Sequence, residues 1–227
     1  MIIGGLQKSS LIDYPEKISA IIFTRGCNFR CKYCHNPELL TSGKSLYEKD
    51  DIIKFLKTRQ GKLDGVVITG GEATLQTDLY DFIKQIKELG FCVKLDSNGT
   101  NPDVLKKLID DKLVDYIAMD IKAPLEKYSH IIGLDVDIEK IKRSIDILMT
   151  SNVDYEFRTT VLKSLLSIED LKNIGKLIKG AKKYYLQKFV PTKIYDEKLL
   201  DEKNYTDEEF EEIAKNLKLD INFVDVR

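Results

Sequence analysis

The stretch GVVITGGEATLQTDLYDFIKQIKELGFCVKLDSNG, residues 65–99, contains a complete strand–helix–strand unit. GVVITG (65–70) and FCVKLDS (91–97) are short runs rich in apolar residues, which is typical of buried strands. Between them, TDLYDFIKQIKEL (77–89) repeats apolar residues at helical spacing, and Thr77 can cap its start. Because a helix is the usual crossover between two parallel strands, this stretch predicts an α/β fold.

The same alternation continues on both sides of this unit. Further strands are predicted at ISAIIFT (18–24), VDYIAMDIK (114–122), YEFRTTVL (155–162) and YYLQKFVP (184–191), with a short strand at INFVDV (221–226). Helices are predicted at KDDIIKFLKTRQ (49–60), PDVLKKLIDDK (102–112), DIEKIKRSIDILMTS (137–151), SIEDLKNIGKLIK (167–179) and TDEEFEEIAKNLK (206–218). Ser167 and Asp170 resemble a capping box. Six strand–helix units are fewer than the eight of a closed barrel, so a doubly wound sheet and a full or partial barrel both remain open.

The composition is that of an ordinary soluble globular protein. Of the 227 residues, 43% are hydrophobic and 32% charged, and no linker or repeat divides the chain, which favours a single domain. Lys plus Arg (36) balances Asp plus Glu (37), which argues against a nucleic-acid partner. No apolar run is long enough for a membrane span. The N-terminal residues do not resemble a signal peptide, so we expect a cytoplasmic protein with reduced thiols.

Every main predicted strand carries polar residues at or near its end. The cysteine loop and GGE (70–72) follow the first two strands, and DSNG (96–99) and DIK (120–122) end the next two. Arg158 and Thr159 lie in the fifth strand, and Pro191-Thr192-Lys193 closes the sixth. Because ligands bind at the carboxyl ends of parallel strands, we expect these residues to form one convergent pocket.

Three of the four cysteines, Cys27, Cys31 and Cys34, lie within the stretch GCNFRCKYCHNP. Disulfides are disfavoured in a reducing compartment, and buried structural cysteines need no shared loop. Zinc prefers four ligands, and His35, the candidate fourth, is directly adjacent to Cys34. These interpretations are weaker than an iron–sulfur cluster, although zinc stays open as an alternative.

A [4Fe–4S] cluster normally takes one thiolate on each iron. Three thiolates leave one iron open to an outside molecule, so the spacing favours a catalytic cluster. Cys92 is the only other cysteine, and its apolar strand favours a role as a small buried hydrophobe.

The run Cys27-Asn28-Phe29-Arg30-Cys31-Lys32-Tyr33-Cys34 resembles the CxxxCxxC signature of the radical S-adenosylmethionine (SAM) superfamily. CHNPEL, DSNG and MDIK resemble the activating enzymes of glycyl-radical enzymes. Residues 4–40 are most similar to the activating proteins of anaerobic ribonucleoside-triphosphate reductase. The resemblance implies a partial (β/α)6 TIM-like barrel, with one radical SAM domain over 1–227 and a cluster loop at 24–36.

The resemblance also implies the cofactors and partners. The methionine part of SAM would chelate the open iron, and one electron would cleave SAM to methionine and a 5′-deoxyadenosyl radical. That radical would take a hydrogen atom from a glycine of the partner, expected to be anaerobic ribonucleoside-triphosphate reductase. A flavodoxin- or ferredoxin-type protein would donate the electron.

Five residues are expected around the methionine part of SAM. Gly70 and Gly71 would let the backbone approach the amine, and Glu72 would add negative charge near it. Asp120 and Lys122 lie on one face of their strand. Lys122 would meet the methionine carboxylate, and Asp120 would accept from the amine or bind a cation.

The DSNG stretch resembles the DTNG of the family, with Asp96, Ser97 and Asn98 in corresponding positions. In the formate-lyase activases, this aspartate, its neighbouring hydroxyl and the DxK aspartate bind a monovalent cation beside SAM. The same site here would use Asp96, Ser97 and Asp120.

The remaining candidates lie around the adenosine and the cluster. Tyr33 would contact adenine, and Arg158 would lie by the ribose or the carboxylate. His35 is expected to pack beside the cluster and His130 at the surface, and neither is assigned a proton transfer. Lys193 stands where the formate-lyase activases carry a histidine, which argues against that branch.

Two other functions remain as alternatives. One is a small-molecule radical SAM enzyme similar to 7-carboxy-7-deazaguanine synthase, and the other is a non-catalytic metal-binding module. CHNP after the third cysteine argues against the first. GGE, DSNG and DIK at the strand ends would have no purpose in the second.

Overall fold

The computed structural model describes residues 1–227 as one eight-stranded sheet with seven α-helices. The strands are β1 (Ile3–Ser10), β2 (Ser19–Thr24), β3 (Gly65–Gly70), β4 (Cys92–Ser97), β5 (Tyr116–Asp120), β6 (Asp154–Val161), β7 (Tyr184–Lys188) and β8 (Val224–Val226). The helices are α1 (Lys49–Lys57), α2 (Leu79–Glu88), α3 (Pro102–Asp110), α4 (Tyr128–Ile132), α5 (Ile138–Thr150), α6 (Ile168–Leu177) and α7 (Asp207–Leu217). None of these helices combines the length and the apolar character needed to cross a lipid bilayer.

The strand order in the sheet follows the order in the chain, from β1 to β8. β2 to β8 pair in parallel, and β1 pairs with β2 antiparallel. A doubly wound sheet would reverse its strand order, and this sheet does not. β1 and β8 are the two edges and do not pair with each other, so the barrel is open. The predicted six-unit partial barrel is confirmed.

The two faces of the sheet differ in chemistry. On the outer face, residues such as Ile22 and Ile68 share the main core with helical residues such as Leu56 and Phe82. The inner face carries a small apolar cluster of Tyr14, Ile21, Val67 and Tyr116, against which Phe23 and Cys92 pack. Polar and charged side chains are concentrated on the inner face at the carboxyl ends of the strands. The helices therefore leave the inner face free to form a site.

Two local predictions need correction. β1 was not predicted, because IGGLQKSS contains two glycines and no β-branched run; its partner β2 determines its strand conformation. Thr77 does not cap α2, which begins at Leu79 after Asp78. The Asp78 side chain pairs with Lys49 instead. The predicted capping box at the start of α6 is confirmed.

Candidate active site

A cavity of about 260 Å³ lies at the carboxyl ends of the strands. All of the predicted site residues line it: Cys27, Cys31, Tyr33, Cys34, Gly70, Gly71, Glu72, Asp96, Ser97, Asn98, Asp120, Lys122 and Arg158. The sequence interpretation missed Thr69, Thr160 and Gln187, which also line the cavity. Thr160 lies two positions after Arg158, so the alternation of a strand could have placed it on the same face.

The cysteine loop is held at its start by backbone hydrogen bonds. Gly26 N–H donates to Leu39 O at 2.8 Å, and Cys27 N–H donates to Leu40 O at 3.1 Å. Gly26 has a φ of 93°, a conformation that side chains rarely adopt. All three cysteines of the loop are free thiols. Burial raises the pKa of Cys27 to about 12, so this thiol becomes a thiolate readily only beside a metal.

The three sulfurs line one cavity, but they do not converge on a single ion. No three of the chain's His, Cys, Asp and Glu side chains lie close enough together to ligate one metal ion. His35 belongs to no such group of ligands; its Nε2 lies 3.0 Å from Val190 O and its ring packs on Phe189. Three separated thiols around one cavity fit a cluster of several irons better than a single zinc ion.

Gly70 and Gly71 allow β3 to end directly against the cysteine loop. A Cβ on Gly70, whose φ is 122°, would lie 2.3 Å from the backbone N and O of Thr24. A Cβ on Gly71 would lie 2.3 Å from Gly26 O. Gly71 N–H donates to Thr24 O, and Glu72 N–H donates to Gly26 O, both at 2.9 Å. The close contact between the end of β3 and the cysteine loop therefore requires these two glycines, a reason that the sequence analysis did not give. Their approach to SAM stays a prediction.

Glu72 connects the ends of β3 and β4. Its Oε1 accepts from the Ser97 hydroxyl at 2.9 Å and from Thr74 N–H at 3.1 Å, and its Oε2 accepts from Asn98 N–H at 2.6 Å. The Asn98 amide in turn donates to Asn28 Oδ1 in the cysteine loop at 2.8 Å. Glu72 is buried, and this burial raises its pKa. GGE, DSNG and the cysteine loop therefore form one hydrogen-bonded unit.

A row of charged side chains crosses the inner face between β4 and β6. Lys94 Nζ lies 2.5 Å from Asp96 Oδ1, and Arg158 Nη1 lies 3.3 Å from Asp96 Oδ2. Arg158 Nε and Lys122 Nζ each lie 2.9 Å from an oxygen of Asp120. Burial alone would raise the pKa of Asp120, but the charges of Arg158 and Lys122 hold it at about 2. The charges of Arg158 and Lys94 likewise lower the pKa of Asp96 against the effect of its burial, so both carboxylates are ionised at neutral pH.

The predicted monovalent-cation site does not fit this arrangement. The two carboxylates that would bind the cation, Asp96 and Asp120, are already paired with the cationic side chains of the row. The Ser97 hydroxyl donates to Glu72. An added cation would have to share these oxygens with the Lys94, Arg158 and Lys122 side chains, whose positive charges would repel it.

Tyr33 supplies a polar atom that the protein itself leaves unbonded. The side chain is 4% exposed, and its hydroxyl is buried without a hydrogen-bond partner. Lys122 Nζ lies 6.0 Å from the centre of its ring. A buried hydroxyl without a partner is costly unless a ligand satisfies it. This orphaned group in the cavity wall fits the binding of a polar cofactor.

The segment after β7 covers the outer side of the cysteine loop. Tyr195 N–H donates to Cys34 O at 3.0 Å, and Asp196 N–H donates to Lys32 O at 2.9 Å. Lys193 Nζ lies 2.8 Å from Glu38, at the surface and away from the cavity lining. His130 is exposed in α4, as predicted.

The family model of the radical SAM superfamily matches residues 21–178, more than two thirds of the chain. The chain belongs to the radical SAM superfamily. Members of this superfamily use a [4Fe–4S] cluster and SAM, so these are the cofactors of this radical SAM protein.

Two relatives place the radical SAM protein more closely. A protein of Methanocaldococcus jannaschii, assigned by name to the glycyl-radical enzyme activating enzymes, is 38% identical over 234 residues, which cover 100% of this chain and 95% of that protein. The pyruvate formate-lyase-activating enzyme of Clostridium pasteurianum is 33% identical over 128 residues, which cover 53% of this chain and 52% of that enzyme. The radical SAM protein is an enzyme of this class.

The fold agrees with that of a solved structure that contains S-adenosylmethionine. SuiB of Streptococcus suis, bound to S-adenosylmethionine, superposes with a TM-score of 0.69 at 14% identity, covering 91% of this chain and 49% of that chain. At this identity the comparison supports the shared fold.

Proposed function

We propose that this radical SAM enzyme abstracts a hydrogen atom from a glycine of anaerobic ribonucleoside-triphosphate reductase and so installs a glycyl radical. The observation that carries the proposal is the convergence of the three thiols with GGE, DSNG, DIK and Arg158 on one cavity. This is the set of residues that the resemblance to activating enzymes assigns to the cluster and SAM.

Different cavity residues are assigned to the cluster and to the separate parts of SAM. Cys27, Cys31 and Cys34 are assigned as the thiolate ligands of the cluster. A [4Fe–4S] cluster bound there would supply the electron that cleaves SAM. Lys122 uses one ammonium hydrogen for Asp120, so its other hydrogens are free for the methionine carboxylate. Tyr33 is assigned to the adenine side, where its orphaned hydroxyl can find a partner.

The remaining assignments concern the amine and the ribose. Gly70, Gly71 and Glu72 are assigned to the methionine amine, because they end β3 at the wall of the cavity. Arg158 is assigned to the ribose or the carboxylate, and its two aspartate contacts fix its orientation. No general base is needed, since the transferred group is a hydrogen atom.

The choice of anaerobic ribonucleoside-triphosphate reductase as the target is supported by residues 4–40. These residues form β1, β2 and the cysteine loop. They pack closely, since a Cβ on Gly4 would lie 2.5 Å from Leu39 and 2.6 Å from Arg25. The stretch that carries the narrower resemblance is therefore part of the scaffold of the site.

The domain organisation, the cellular compartment and the electron donor are also part of the proposal. Residues 1–227 would act as one radical SAM domain, with residues 24–36 as the cluster loop. The enzyme would work in the cytoplasm, where its thiols stay reduced. A flavodoxin- or ferredoxin-type protein would donate the electron.

The test is an anaerobic reaction followed by electron paramagnetic resonance. The enzyme is reconstituted with iron and sulfide and mixed with SAM, dithionite and the anaerobic reductase. We expect a glycyl-radical doublet on the reductase. Cys31→Ala should abolish it, whereas Cys92→Ala, which removes the one cysteine outside the loop, should retain it.

Other outcomes separate the alternatives. SAM cleavage without a radical on the reductase would reject this partner and favour another glycyl-radical enzyme or a small substrate similar to that of 7-carboxy-7-deazaguanine synthase. A protein that binds zinc and cleaves no SAM would reject the function altogether.

A further inference from the structure

Lys94 is a buried lysine on the inner face of β4 that the proposed function does not use. The residue is 2% exposed. Its Nζ lies 2.5 Å from Asp96 Oδ1, and this carboxylate is the only partner that the structure gives it. An ammonium group buried this deeply is strongly destabilising unless it is paired, so the contact with Asp96 is a requirement of the site.

Lys94 is the first member of a row of five alternating charges. The row continues from Asp96 through Arg158 and Asp120 to Lys122. Each of the four carboxylate oxygens faces a nitrogen atom of a cationic side chain. Three positive and two negative charges leave the row with a net charge of +1.

The cationic side chains of this row supply the positive charge that two carboxylates in a cofactor pocket would otherwise obtain from dissolved cations. Alkali and alkaline-earth cations bind proteins through oxygen ligands such as carboxylates. Here the oxygens of Asp96 and Asp120 are occupied by side chains of the same chain. Without Lys94, Asp96 Oδ1 would have no donor and the four remaining charges would sum to zero.

We propose that the Lys94 ammonium is a built-in counter-cation of the SAM pocket, so that SAM binding by this enzyme needs no added alkali cation. Lys94 holds Asp96 in place for Arg158 and is therefore a positioning residue. The inference rests on SAM binding in this cavity and is independent of the identity of the partner enzyme.

The first experiment measures the SAM dissociation constant of the anaerobically reconstituted enzyme in two salts. One buffer contains about 100 mM choline chloride, and the other contains KCl at the same ionic strength. We expect the two dissociation constants to agree within about two-fold. Binding about ten-fold weaker in choline chloride would overturn the inference, because the enzyme would then depend on the alkali cation.

The second experiment repeats the measurement with Lys94→Met. This change keeps a long side chain but exposes Asp96 Oδ1 to an approaching cation. We expect SAM binding to weaken by about ten-fold in choline chloride and to recover largely in KCl. A purely structural role for Lys94 predicts no such recovery. Wild-type affinity of Lys94→Met in choline chloride would overturn the inference.

Lys87→Met is the matched control. Lys87 also pairs with an aspartate, Asp115, at 2.7 Å, but the pair lies outside the cavity lining. This variant should bind SAM like the unaltered enzyme in both salts. If Lys94→Met does not fold, the salt dependence of the unaltered enzyme still decides whether SAM binding needs an alkali cation. Absence of a radical on the reductase leaves the SAM dissociation constants unaffected, so a wrong partner and a wrong role for Lys94 give different results.

Discussion

Glu72 is the residue on which the connection between the ends of β3 and β4 depends most. Burial raises its pKa, while the hydrogen bonds from Thr74, Asn98 and Ser97 favour its charged form. These donors are themselves buried, so each of them needs its acceptor. A polar side chain of the same size is therefore not equivalent to the carboxylate.

Glu72→Gln should lower the free energy of unfolding by about 1–3 kcal/mol, because an NH₂ group replaces one acceptor oxygen and leaves a buried donor unpaired. Urea unfolding of the anaerobically handled protein measures this change. Glu169→Gln, at an exposed position of α6, is the control and should stay within about 0.5 kcal/mol of the unaltered protein. An unchanged stability of Glu72→Gln would show that the connection is unimportant.

The sequence analysis identified residues that line the cavity, but it missed a side chain that pairs with one of them. Side chains alternate between the two faces of a strand, and binding sites lie at the carboxyl ends of parallel strands. These two rules can be applied to the sequence alone, and they were enough to place Asp120, Lys122 and Arg158 together. Lys94 was missed because a lone lysine in a strand ordinarily indicates a solvated face. Only its pairing with Asp96 in the folded chain explains its burial.

At the scale of the elements, helices were predictable because their apolar faces repeat with a period that the sequence shows directly. α2, predicted over 77–89, extends over Leu79–Glu88. β1 lacks such a pattern and depends on its antiparallel pairing with β2. A strand whose conformation depends on pairing with its neighbour cannot be predicted from its own composition.

The contact between β3 and the cysteine loop gives a prediction at this scale. Gly71→Ala would place a Cβ 2.3 Å from Gly26 O, so the start of the loop must shift. We expect less iron per chain after reconstitution than in the unaltered enzyme. Gly90→Ala is the control, because it introduces a side chain at a φ of 88° with no atom within 4 Å. Equal iron content in Gly71→Ala and the unaltered enzyme would contradict this account of the glycine.

At the scale of the whole molecule, the sheet separates an apolar outer face from a polar inner face. The sequence predicted the number of strand–helix units but not the choice between a doubly wound sheet and a barrel. That choice depends on which strands become neighbours, and hydrophobic periodicity is the same in both arrangements. Only the family resemblance pointed to the partial barrel.

This separation predicts where SAM should alter hydrogen exchange in the reconstituted enzyme. Peptides that cover 96–98, 120–122 and 158–160 should exchange more slowly with SAM, because their residues line the cavity. Peptides over 106–110 and 147–153 line a different groove, between α3 and α5, and should exchange at an unchanged rate. Protection confined to that second groove would place SAM elsewhere.

The hydrogen bonds from Tyr195 and Asp196 to the cysteine loop have a consequence for biosynthesis. The loop is synthesised about 160 residues before these two residues. A nascent chain therefore carries three reactive thiols in a loop that lacks its final backbone support. Iron and sulfide are best inserted after these two residues have emerged and bonded to the loop, so the cellular assembly machinery should recognise the folded site and not the emerging polypeptide.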